Sequence, residues 1–156
     1  MGRVLPAIAA FISMIFLINS GFTRASSQYL RVNFYNKTDY TCEITSIWRR
    51  HGMWDKEPHE NQLIDKHKSI YWSGKQSGFY GPDMALTLQC GGYYFSVRNR
   101  QNYTFLGGGE QHYSTYDVDK HLNVINKQAK HASVHHGAPG IANVTVSLKG
   151  SHPVLE

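Results

Sequence analysis

Apolar and polar residues alternate with a period of two through much of this chain. Leu30, Val32 and Phe34 alternate with Tyr29, Arg31, Asn33 and Tyr35, the pattern of a strand with one face in a core. Residues 36–39 read as a turn. Residues 41–48 form a second candidate strand, with Cys42 and Ile44 on one face. Residues 49–68 are polar, contain Pro58 and lack periodicity, which predicts a long excursion with one short strand near Leu63 and Ile64. Residues 69–73 predict a third main strand, and a glycine-punctuated loop follows to Pro82. Leu86, Leu88 and Cys90 point inward from a strand over 84–90, and Gly91-Gly92 signals a hairpin. The returning strand, 93–99, sends Phe95 and Val97 inward. Further strands are expected at 103–106, 112–118 and 121–125, a loop at 127–140, and a closing strand through Val144, Val146 and Leu148. No repeat and no helix longer than two turns is legible. Many short strands with turn signals predict an all-β fold, a compact antiparallel β-sandwich with long loops.

The first residues follow another pattern. A basic start at Arg3, an apolar run from Val4 to Ile18 and a small residue at Ala25 predict a secretory signal peptide over residues 1–25. Residues 26–156 then form one exported domain. Removing Arg3 and Arg24 lowers the formal net charge from +5 to +3, a mild basicity carried by scattered residues, which gives nucleic acid little support as a partner. Cys42 and Cys90 are the two cysteines, and in an exported domain they predict one disulfide. Acceptor sequons for N-glycosylation begin at Asn36, Asn102 and Asn143.

Eleven aromatic side chains fall between Tyr71 and Tyr116, with few carboxylates among them. Phe95, Phe105 and Tyr71 are assigned to the core. Adjacent pairs such as Tyr93-Tyr94 point to opposite faces of a strand, so some rings must face outward. Tyr and Trp combine an apolar body with a polar tip and collect at interfaces. Met53 and Trp54 follow Arg49, Arg50 and His51 on one expected loop, a cationic and aromatic combination suited to a lipid headgroup layer.

Nine histidines are present, and His131, His135 and His136 are the densest group. Gly137, Pro139 and Gly140 beside them favour a loop, and no glutamate lies between them in the zinc-protease arrangement, so neither a metal nor a cofactor is expected. His112, His121 and Glu110 are of the types used in acid–base catalysis, but only residue type connects them. No nucleophile elbow, phosphate loop or paired glycosidase carboxylates are visible. The expectation is a protein that binds rather than catalyses.

Three segments in order resemble the actinoporins. Ile47-Trp48-Arg49-Arg50-His51-Gly52 resembles their aromatic-Arg-Ser-Gly turn, and residues 70–78 resemble their tyrosine-Ser-Gly-basic loop. Tyr94-Phe95-Ser96-Val97 with Asn102-Tyr103 resembles their Phe-Ser-Val strand and the tyrosine-rich loop after it. The related aegerolysins share a comparable strand order, without their cysteine and tryptophan signatures here. The resemblance, over residues 30–119, implies a β-sandwich that recognises sphingomyelin-type headgroups. It implies Ser96, Tyr103, Tyr113 and Tyr116 at the headgroup pocket and Trp54 as a membrane-facing ring. Two departures stand out. Arg98 occupies the family's proline position, and a strand begins within a few residues of Ser26, which leaves no room for the inserting helix.

The expectation is therefore a secreted, non-enzymatic protein that binds membrane lipid, acting as a cytolytic toxin or defence protein with self-association or a partner chain at the membrane. A lectin or protein-binding module on the same sandwich is the alternative, with a glycan or protein as partner.

Overall fold

The computed structural model of the chain describes residues 29–78, 80–103, 109–129 and 140–150, without the side chains of 102, 103, 109 and 110. The expected leader and its cleavage point lie outside these residues, as do Phe105 and the histidines at 131, 135 and 136. Among the described residues there are ten strands: β1 (Tyr29–Asn36), β2 (Cys42–His51), β3 (Met53–Lys56), β4 (Leu63–Ile64), β5 (Ser69–Lys75), β6 (Asp83–Cys90), β7 (Tyr93–Tyr103), β8 (Gly109–Tyr116), β9 (Leu122–Gln128) and β10 (Gly140–Leu148). They form two five-stranded sheets. Sheet A runs β3-β5-β1-β10-β9 and sheet B runs β4-β2-β6-β7-β8. The expected all-β sandwich is the observed fold. One pairing departs from the antiparallel rule: β1 and β10 lie parallel, side by side, Leu30 opposite Gly140 and Asn36 opposite Val146.

Alternation builds the core. Leu30, Val32 and Phe34 from β1, Trp72 from β5, and Ala142, Val144 and Val146 from β10 face Ile44, Leu86, Leu88, Phe95 and Val97 of sheet B. Phe34 lies between Trp72 and Phe95, with ring centroids 6.2 and 6.3 Å away. Tyr71 is not core. It sits opposite Asn33, on the parity that points away from Val32 and Phe34, and half-buried on the outside of sheet A.

Cys42 and Cys90 form the expected disulfide, joining directly paired positions of β2 and β6 with their Cα atoms 4.1 Å apart. Gly91 and Gly92 both have positive φ, 59° and 91°, as a two-residue hairpin turn with right-handed twist requires. A ring close by also holds Gly91 to glycine, since an added Cβ would come within 2.5 Å of the Tyr40 ring.

The segment expected as a polar excursion contains β3 instead. Gly52 (φ 80°) turns the chain from sheet B into sheet A between β2 and β3, and a Cβ there would lie 2.7 Å from the Lys75 carbonyl oxygen. Such corners let one continuous run serve both sheets.

Candidate functional site

The outer face of sheet B gathers the exposed rings of Trp48, Tyr94 and Tyr116. Three facts of register place them. Ser96 pairs with Thr87 on one side and Tyr116 on the other. Arg98 pairs with Ala85 and Ser114, and Trp48 pairs with Ala85. All alternate with core residues, so all point outward. Trp48 reaches this face through a bulge. The β2–β6 register shifts between Ile44 and Ser46, which puts Ile47 inward against Leu86 and Trp48 outward.

Arg98 is the centre of the face. Its Nε donates to Asp83 Oδ1 at 2.8 Å and its Nη2 donates to Oδ2 at 2.6 Å, a bidentate pair. Asp83 is 1% exposed, so this carboxylate is buried beneath the guanidinium that neutralises it. The hydrogen bonds to Asp83 raise the Arg98 pKa further above its ordinary value. The Trp48 ring lies over the guanidinium, 5.4 Å from centroid to Cζ, within cation–π reach. Trp48 is 47% exposed and Tyr94 48%. Tyr116 flanks Ser96, and burial raises its pKa. Thr87 Oγ1 and Ser96 Oγ share a hydrogen bond of 3.0 Å. At one end His51 stacks with exposed Tyr80, centroids 4.5 Å apart. The result is a half-polar surface in which rings surround hydroxyls and a charge already compensated from below.

The headgroup residues expected from the resemblance separate in space. Ser96 and Tyr116 are direct neighbours on this face. Tyr113 pairs with inward Asn99 and packs against the core on the opposite side of the sheet. Its hydroxyl donates to Gln111 Oε1, and burial pushes its pKa up to about 12. Tyr103 ends β7 opposite Gly109, and its side chain is outside the described atoms. Trp54 sits opposite Gly74, partly buried against the core, and lines an edge groove with Ile47, Arg49, Pro58 and His59. The expected loop folds back as β3, so Trp48 is the tryptophan left facing outward. The sequence alone does not mark Arg98 and Asp83 as site residues. The sequence signal for them was the departure from proline at 98, beside an isolated carboxylate at 83.

The sequons also differ. Asn36 is 1% exposed, and its Nδ2, the atom a glycan would occupy, donates to the carbonyls of Tyr40 (2.7 Å), Ile64 (3.1 Å) and Asp65 (3.1 Å). A glycan on Asn36 would have to displace all three of these contacts in the folded domain. Asn143 faces outward from β10, its Oδ1 accepting from Asn33 Nδ2 at 3.1 Å. Asn102 pairs with Glu110 in the β7–β8 ladder, its side chain outside the described atoms.

Among the described residues no group of three or more His, Cys, Asp or Glu side chains is placed to hold a metal ion. His121 is engaged by Asp119 at 2.8 Å and lies against the Tyr93 ring, 4.9 Å between centroids. Among the same residues no helix is long and apolar enough to cross a membrane.

No protein-family model and no curated protein matches the sequence. Solved structures do share the fold. The chain is similar to IP-1A from Alcaligenes faecalis, with a TM-score of 0.60 and 16% identity, over 83% of this chain and 96% of that one. It is also similar to the lipid binding protein Nakanori, with a TM-score of 0.53 and 10% identity, over 88% of this chain and 77% of that one. At these identities the likeness is one of fold: this chain is a β-sandwich of the architecture that a lipid binding protein also uses.

Proposed function

We propose that this protein is a non-enzymatic binder of membrane lipid that docks through the outer face of sheet B. The observation that carries the reading is the Trp48 ring over an Arg98 guanidinium already paired to buried Asp83. With Arg98 compensated, the centre of the face offers rings and hydroxyls rather than a free cation. That suits the boundary between headgroups and acyl chains, where tyrosine and tryptophan settle with their polar tips in the headgroup layer. Nakanori's description as a lipid binding protein on a similar fold supports the class of ligand. The finer reading is a sphingomyelin-type headgroup at Ser96, Tyr116 and Arg98, in an exported protein whose cytolytic action requires self-association or a partner chain.

Sedimentation with phosphatidylcholine vesicles, with and without sphingomyelin, tests this. The expected result is binding that requires or is strengthened by sphingomyelin, and a loss of roughly tenfold or more in Trp48→Ala. Trp48 is exposed, so that variant should keep the wild-type melting temperature. No sedimentation with either vesicle ends the lipid reading; sedimentation unchanged in Trp48→Ala moves the docking surface elsewhere.

A further inference from the structure

The opposite face of the sandwich has a different chemistry. Arg31 on β1, Lys56 on β3, Lys75 on β5 and Lys127 on β9 all occupy outward positions of sheet A. Arg31 and Lys56 each lie opposite Ser73, Lys75 opposite Tyr29 and Lys127 opposite Asn143. Among the described residues the ion pairs are His67–Asp39, Arg98–Asp83 and His121–Asp119, so none of these four cations is paired to a carboxylate. The neighbouring Asp55 accepts from Ser73 Oγ at 3.1 Å.

Two of the cations are held in place. The Arg31 guanidinium lies 3.9 Å from the centre of the Tyr71 ring, and Lys56 Nζ lies 3.7 Å from the same centre. Arg31 Nε also donates to Asn33 Oδ1 at 2.8 Å. Tyr71 begins a row that crosses four strands in direct register: Tyr71, Asn33, Asn143, Lys127. At about 4.8 Å between strands the row spans roughly 14 Å. It has fixed cations at one end, an exposed lysine at the other and amides between, with Asn33 bonded to Asn143.

The composition of the row selects among anionic partners. The exposed apolar side chains of this face, Met53 and Ile125, sit on the edge strands β3 and β9, away from its centre, which disfavours insertion into a bilayer. The Tyr71 ring already has a cation on it from two residues, so it is not a free platform for stacking a nucleic-acid base. Separated cations with amide donors and acceptors between them suit a chain bearing fixed anions and hydroxyls. We propose that the outer face of sheet A, with the Asn143 sequon free of glycan, binds a sulfated polysaccharide laid across the strands along the Tyr71–Asn33–Asn143–Lys127 row. The site is independent of the lipid face, and an extracellular ligand of this kind fits the export expected from the N-terminal segment.

Immobilised heparin is the probe, with protein made without glycans. Wild type should be retained at physiological ionic strength and released by added salt, since exposed ion pairs are screened. Lys56→Gln and Lys127→Gln should each weaken binding about tenfold, and the double variant about a hundredfold, because each removes one charge-assisted contact. Both lysines are exposed, so melting temperatures should not move. Trp48→Ala should leave heparin binding unchanged, which separates this site from the lipid face. Failure of wild type to bind heparin, or equal retention of the double variant, would overturn the proposal. So would binding to phosphatidylserine vesicles or duplex DNA in place of heparin.

Discussion

Arg98 and Asp83 show how one pair of side chains sets the character of a whole face. Asp83 is almost fully buried while Arg98 keeps 29% of its side chain in solvent, so the arginine is the lid and the aspartate the anchor. Breaking such a pair costs more than the pair contributes, because a buried charge is left without a partner. Arg98→Ala should therefore destabilise the domain by about 3 kcal/mol in urea unfolding, and adding Asp83→Asn should recover a substantial part of that loss. An additive double variant would show that the two residues do not act together. Tyr113, on the other side of the sheet, makes a prediction about pH. An unfolded tyrosine ionises near 10, whereas burial holds folded Tyr113 to about 12. The phenol's contribution to stability is then fully present below about pH 10 and declines as pH rises from there through the folded value. Urea midpoints at about pH 8 and about pH 11 should fall less in Tyr113→Phe than in wild type; an identical fall would refute this role for the ring.

Among the elements, period-two alternation was enough to find most strands and to put Leu30, Val32, Phe34, Leu86, Leu88, Phe95 and Val97 in the core. What it missed has local causes. Without the bulge after Ile44, the parity set by Cys42 and Ile44 would carry Trp48 inward; a single register shift turns it to solvent. β3 was hidden because its four residues, two apolar followed by two charged, carry no alternation on an edge strand, and Gly52 reads as loop although it is a corner. Tyr113 and Tyr116 are three residues apart on one strand, so they could never share a face once the region was strand. The Arg31, Lys56, Lys75 and Lys127 face was illegible because its members come from four strands distant in sequence, and such cations look scattered along the chain. The disulfide was legible from the cysteine count together with the expected export, and the fold shows what it ties. It clamps β2 to β6 directly, within sheet B rather than between the sheets. Closing a loop of 48 residues in sequence should contribute about 4 kcal/mol by the chain-entropy estimate. Cys42→Ala/Cys90→Ala should lower unfolding stability by roughly 2–4 kcal/mol, part of it from lost packing at two fully buried positions. A double variant as stable as wild type would show that the strand pairing alone holds β2 to β6.

At the scale of the whole molecule, two proposed docking faces lie back to back on one rigid sandwich. Face-to-face sheets are separated by about 10 Å of packed side chains, so a ligand on one face cannot touch a ligand on the other. The ring-rich face of sheet B and the cationic face of sheet A should then be occupied together, and the protein should tether a sulfated chain to a lipid surface. In a vesicle sedimentation assay with sphingomyelin, labelled heparin should appear in the pellet only when protein is present. Saturating heparin should change vesicle affinity by less than about twofold, because sites without differential contacts do not couple. Lys56→Gln/Lys127→Gln should pellet without heparin, and Trp48→Ala should leave both protein and heparin in the supernatant. The paired variants make the result diagnostic, since each face is disabled alone while the fold is kept. Competition between heparin and vesicles would instead mean that both use one surface, and the two-faced arrangement would fail.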